Sequence, residues 1–153
     1  MKKILILSLA VVMLFAAVSA AWCDTQDDVT KQLTNFYNDV KTGNVDAMTK
    51  MLTMETAKKI KTSATTNVLG NLDQIFGIAQ LVKDGKGEVT ISDLNFEFPE
   101  VEDDKVVVRA SFKSIINSEG TTIENNGKHE IVLLNEQGKW YIMNLTDLMS
   151  TLK

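Results

Sequence analysis

The sequence predicts an α+β domain in which about three N-terminal helices pack on a four-stranded antiparallel sheet. Three observations carry this prediction. Apolar residues recur at helical spacing from Asp24 to about Lys83. From Glu88 onward the apolar period becomes two, as in strands. The turn cluster Asp84-Gly85-Lys86-Gly87 separates the halves. Helices followed by a meander of strands is the α+β pattern.

The first helix carries Val29, Leu33, Phe36, Tyr37 and Val40 on one stripe. Gly43 fits the left-handed residue that closes it, and Asn44 can cap the next helix. That second helix turns Val45, Met48, Met51 and Leu52 inward, and the stretch from Met54 to Ser63 continues it or restarts after Thr53. A third helix runs from about Thr66 to Val82, with Leu72, Ile75, Phe76 and Ala79 on its apolar side.

The first strand alternates Val89, Ile91, then Leu94, Phe96 and Phe98; the slip at Ser92-Asp93 predicts a bulge, and Pro99 is expected to end the strand. Val106, Val108, Ala110 and Phe112 share one face of the second strand. The third covers about Ile123 to Leu134, with a break expected near Asn125-Asn126-Gly127. The fourth is Lys139 to Leu145, reached through a three-residue loop Glu136-Gln137-Gly138.

Pairing Asn135 with Lys139 puts Val132, Leu134, Trp140 and Ile142 on one side of the sheet. Ile131, Leu133, Tyr141 and Met143 then lie on the other. With both faces apolar, something must cover the second one. Two covers are expected: the tail Leu145-Thr146-Asp147-Leu148-Met149 folded back, or a second copy forming a homodimer through Ile131, Leu133, Tyr141 and Met143.

Composition bounds the class. The chain has 153 residues, one cysteine and a formal charge of −4. Met1-Lys2-Lys3, the apolar run from Ile4 to Val18 and the small residues Ala17-Val18-Ser19-Ala20-Ala21 have the three parts of a secretory signal peptide. Cleavage after Ala20 makes residues 1–20 the leader and 21–153 a single domain, periplasmic or secreted. The alternative is an uncleaved anchor, since Ile4 to Trp22 nearly spans a bilayer. Trp22 before Cys23 argues against lipid attachment, which wants a small residue there. A lone Cys23 excludes an internal disulfide. Removing Lys2 and Lys3 takes the charge from −4 to −6, and with no basic cluster neither nucleic acid nor anionic lipid is an expected partner.

Two phrases carry a family resemblance. The run Phe36-Tyr37-Asn38-Asp39-Val40-Lys41-Thr42-Gly43-Asn44-Val45-Asp46-Ala47 resembles the helix joint of nuclear transport factor 2-like domains, and Gly138-Lys139-Trp140-Tyr141-Ile142 resembles their closing strand. The resemblance covers nearly all of residues 21–153. It implies a cone-shaped half-barrel, with a strongly curved sheet wrapped around the first helix and a pocket at the wide end. Members include isomerases, dehydratases, polyketide cyclases and binding domains, so fold alone does not choose the chemistry.

The expected role is a non-enzymatic exported domain that binds a small apolar ligand or a protein partner, with no cofactor. Its pocket wall would draw on Phe36, Tyr37, Phe76, Phe112 and Trp140. One alternative is an enzyme resembling ketosteroid isomerase or a polyketide cyclase, acting on a hydrophobic carbonyl compound with Tyr37 as donor and Glu55 as base. Another is Cu(I) binding by Met48, Met51 and Met54, whose thioethers suit a soft ion. His129, the single histidine, starts a strand with a parity that points it away from Trp140 and the expected pocket. Arg109 is expected on a solvated face. One His and one Cys cannot make a zinc site.

Overall fold

A computed structural model describes residues 24–62 and 72–148. The leader, Cys23 and the start predicted for the third helix lie outside the described residues. Helix α1 covers 24–42, α2 Val45–Lys50, α3 Met54–Thr62 and α4 Leu72–Lys83. Strands β1 (Gly87–Val101), β2 (Lys105–Ser118), β3 (Thr121–Glu136) and β4 (Lys139–Asp147) follow. They form one antiparallel, unclosed meander in the order β1-β2-β3-β4. The curved sheet wraps the helices as an α+β half-barrel.

The predicted stripe of α1 is the centre of the core. Val29, Leu33, Phe36, Tyr37 and Val40 are buried against Val106, Val108 and Ala110 of β2, Ile131 and Leu133 of β3, and Ile142 and Leu145 of β4. The helix ends as its sequence demands. Gly43 is left-handed (φ 69°), its N–H donates to Val40 O and the Asn44 N–H donates to Asp39 O at 2.9 Å. Gly43 is also required by packing, because a Cβ there would lie 2.9 Å from the Lys83 Cα at the end of α4. Asn44 then caps α2 by accepting from the Ala47 N–H.

Of the two alternatives for Met54 onward, the helix restarts after Thr53, because Met51-Leu52-Thr53 leaves the helix to lie along β4. The Ile142 N–H donates to Met51 O at 2.8 Å and the Thr53 N–H donates to Ile142 O at 3.0 Å. Buried Thr53 caps α3, and its hydroxyl donates to Thr56 Oγ1, which donates in turn to Met143 O at 2.9 Å. This segment covers the β4 edge of the sheet, an edge that would otherwise offer its backbone to other chains.

The predicted slip in β1 is a register shift between Ser92 and Asn95, with Asp93 left-handed (φ 52°). Pro99 does not end β1: it sits in a second shift between Glu97 and Glu100 and the strand runs on to Val101. A proline is tolerated there because β1 is an edge strand. Nor is β3 broken at Asn125-Asn126-Gly127, which pairs in register with Phe112 to Ser114.

The last hairpin corrects the expected faces. Its turn has two residues, Gln137 (φ 56°) and Gly138 (φ 82°), both left-handed, so Glu136 pairs with Lys139. This register differs by one residue from the expected one, and a one-residue slip exchanges the faces of a strand. Ile131 and Leu133 are therefore fully buried rather than on the outer face. A bulge between Val132 and Leu133 inserts Met143, so Ile142 and Leu145 both turn inward. Leu145 is thus core, not a tail folded over the outer face. Tyr141 and Met143 remain outside, beside Val107, Val132 and Leu134.

Leu33 is fully buried within the core cluster, whereas Met54 is 71% exposed. Leu33→Ala should cost about 2–5 kcal/mol of unfolding free energy, and Met54→Ala less than about 0.5. Urea titration of both variants checks the contrast, and equal losses would contradict a core centred on α1.

Candidate functional site

At the wide end of the half-barrel, α1, α4 and the inner face of the sheet leave a cavity of about 150 Å³. Its walls are mainly apolar: Ile75 and Ile78 from α4, Val89 and Ile91 from β1, Phe112 and Ile116 from β2. Polar groups enter from Tyr37, Gln74, Ser114, Asn125, His129 and Asp147. A more voluminous recess of about 620 Å³ lies between α3 and the outer face of β3 and β4. It is a surface groove walled by Glu55, Lys58, Lys59 and Glu136. The smaller cavity is the better candidate because it joins apolar walls to buried titratable groups.

Its chemical centre is a hydrogen bond between Tyr37 Oη and His129 Nδ1, at 2.7 Å. The two residues are 2% and 8% exposed. Helix α1 presents Tyr37 on the same stripe as Leu33 and Phe36, and the β3 register presents His129 on the same face as Ile131 and Leu133. Aromatic rings fix both. Phe112 stands edge-on to His129 with centroids 4.8 Å apart and lies 5.2 Å from Tyr37. Phe36 packs edge-on against Tyr37 at 5.7 Å.

Burial controls the charge of the pair. It pushes the His129 imidazolium down to about 4, partly opposed by the nearby Asp147 carboxylate. It also raises the Tyr37 phenol well above its ordinary value. Both are neutral at pH 7. A neutral imidazole carries one N–H and a phenol one O–H. Their mutual bond uses one of these protons, so whichever tautomer forms, the pair retains one further donor. Asp147, the register partner of His129, lies on the same cavity wall.

The structure separates the residues singled out from sequence. Tyr37 and Phe112 line the cavity. Phe36 and Phe76 are buried in the core and are not among its lining residues. Trp140 lies elsewhere, its carbonyl accepting from Gln32 Nε2 at 2.6 Å, beside Lys31 and Lys139. Glu55 is exposed on α3, where Lys59 pairs with it at 2.6 Å and holds its carboxyl below the usual range. It does not meet Tyr37. Met48 is fully buried, Met51 follows the end of α2, and Met54 starts α3, so their sulfurs share no helix face. Arg109 is on the outer face, bonded to Glu130 at 3.2 Å.

His129 is the residue that sequence reasoning placed on the wrong face. The one available signal was Gln137-Gly138 read as a two-residue turn, which reverses the parity of β3 against β4.

No protein-family model and no curated protein matches the chain. Solved structures do. A nuclear transport factor 2-like protein with a cystatin-like fold from Novosphingobium aromaticivorans has a TM-score of 0.58 at 10% identity, covering 89% of this chain and 90% of its own. The association domain of C. elegans CaMKII has a TM-score of 0.53 at 11% identity, over 83% of this chain and 97% of its own. A candidate scytalone dehydratase from Novosphingobium aromaticivorans gives 0.56 at 7%, over 82% and 83%.

In the unfolded chain His129 takes its proton near pH 6.5, and in the folded chain only near pH 4. Between those values the unfolded state binds the additional proton, so acid favours unfolding. The contribution is intact above pH 6.5, and about 3 kcal/mol should be lost by pH 4. Urea unfolding at a series of pH values, for the wild type and His129→Gln, checks this. The wild type should lose that much more than the variant, and parallel curves would contradict a buried neutral imidazole. At these identities the likeness is one of fold, and the chain has the nuclear transport factor 2-like fold.

Proposed function

We propose that this domain binds a small, mainly apolar ligand, about one ring in size, that carries an oxygen acceptor. The observation that supports it is the neutral Tyr37–His129 pair set into the wall of the 150 Å³ cavity. An apolar cavity of about 150 Å³ accommodates a molecule the size of benzene. The donor left over by the pair would address the ligand oxygen, and the aliphatic walls would supply most of the affinity. Turnover is not required by this arrangement.

Phenol and benzene are suitable probes. Methyl-detected NMR titration should show saturable shifts at Ile75 and Ile91 with both, and phenol should bind about 5–10-fold more tightly, the worth of one hydrogen bond. His129→Gln should narrow that gap. Absence of saturable shifts with either probe at millimolar concentration would overturn the proposal. Conversion of a hydrophobic carbonyl compound in a Tyr37- or His129-dependent manner would replace it with an enzymatic role.

A second reading, self-association, is favoured by the outer sheet face. Val107, Val132, Leu134, Tyr141 and Met143 form a patch across three strands, with Met143 38% exposed. The likeness to an association domain is consistent with assembly through some surface. Light scattering on the eluting protein should give a dimer, and Leu134→Lys should convert it to monomer. A wild-type monomer at micromolar concentration would remove this reading.

A further inference from the structure

We infer that Gly127 sets the size of ligand the cavity admits, acting through Phe112. This rests on the binding role proposed above. Gly127 and Phe112 face each other in the β2–β3 ladder. Gly127 is buried, and its backbone is not left-handed, so chain conformation alone does not call for glycine there. Space does. A Cβ at this position would lie 2.9 Å from Phe112 Cε1 and closer still to Cζ and Cε2. The missing side chain lets the Phe112 ring rest on the β3 backbone.

That resting place determines how much room is left. Phe112 and Gly127 both line the cavity, and the ring is already backed by His129 at 4.8 Å and Tyr37 at 5.2 Å. Ordinary carbon–carbon contact is about 3.5–4 Å. A methyl at position 127 therefore moves the ring tip by roughly 1–2 Å, away from the strand. The backbone lies on one side and two aromatic partners flank the ring, so the space that can receive it is the cavity. The clashing atoms are the tip of a side chain that can rotate, so the fold can accommodate the change by surrendering cavity volume. In a space the size of one ring, that loss separates ligands that fit from ligands that do not. Phe112→Ala acts in the opposite sense and opens room for a second fused ring.

The test uses phenol, 2-naphthol and xenon on the full-length domain, followed by methyl NMR. The wild type should bind phenol and exclude 2-naphthol. Gly127→Ala should weaken phenol at least tenfold while its thermal unfolding stays cooperative. Phe112→Ala should admit 2-naphthol, and the double variant Gly127→Ala/Phe112→Ala should recover phenol binding. Unchanged phenol affinity in Gly127→Ala, or no rescue in the double variant, would overturn the inference. If Gly127→Ala does not fold, the other two variants decide: exclusion of 2-naphthol by both refutes it. If the wild type binds no phenol, the ligand proposal fails, and xenon then reads the cavity directly. Xenon shifts at Ile75 and Ile91 should be present in the wild type, diminished in Gly127→Ala and enlarged in Phe112→Ala. Equal shifts in all three would refute the role of Gly127.

Discussion

The register of the last hairpin is the constraint on which the rest of this structure depends. Two left-handed residues, Gln137 and Gly138, allow β3 and β4 to meet with Glu136 opposite Lys139. That pairing sends Ile131 and Leu133 into the core beside Leu33 and Phe36 of α1. The same parity, continued back along β3, brings His129 and Gly127 to the inner face. A three-residue loop would have exchanged the faces of one strand against the other and exposed those leucine and isoleucine side chains. Core and candidate site are therefore set by one turn. The bulge at Met143 adjusts the remaining mismatch, so that Leu145 can follow Ile142 inward.

Burying a histidine is costly unless it is neutral and bonded. Here both conditions hold, because burial itself discharges the ring and Tyr37 supplies the bond. The geometry also explains the aromatic density around the pair. Phe36, Phe96 and Phe112 pack around Tyr37 and hold its phenol against His129. A purely apolar pair would have filled the same space without the acid sensitivity that His129 brings.

Much of this was legible in the chain. The spacing of Val29, Leu33, Phe36, Tyr37 and Val40 is enough to identify α1 and its buried face, since a helix stripe is a local property. Gly43 and Asn44 mark a helix end and a helix start for the same reason. The slip at Ser92-Asp93 was visible because a bulge interrupts alternation. What was not legible depends on pairing between strands. Whether Ile131 or Val132 points inward is settled by the turn length two residues beyond Asn135, and the two choices look equally apolar in sequence. Gly127 reads as a strand breaker when β3 is considered alone. Opposite Phe112 it is instead the position that leaves room for the tip of an aromatic ring. Phe36, Phe76 and Trp140 were singled out for aromatic character, which does not distinguish core from cavity wall.

The two ends of the half-barrel are built on opposite principles. At the β4 edge, backbone bonds from Met51 and Thr53, the Thr56 hydroxyl and the Gln32 amide all close on Ile142, Met143 and Trp140. Few groups there are left to do anything but hold. At the wide end the order reverses: Ile123 near the tip of the β2–β3 hairpin is 55% exposed, and a left-handed Asp93 tied to Lys113 lies on β1 beside the cavity. Binding sites tolerate such strain and exposure only where another part of the molecule secures the fold. The strapped edge supplies that security through bonds that share no residue with the cavity wall, so changes at positions 112, 127 and 129 leave those bonds untouched.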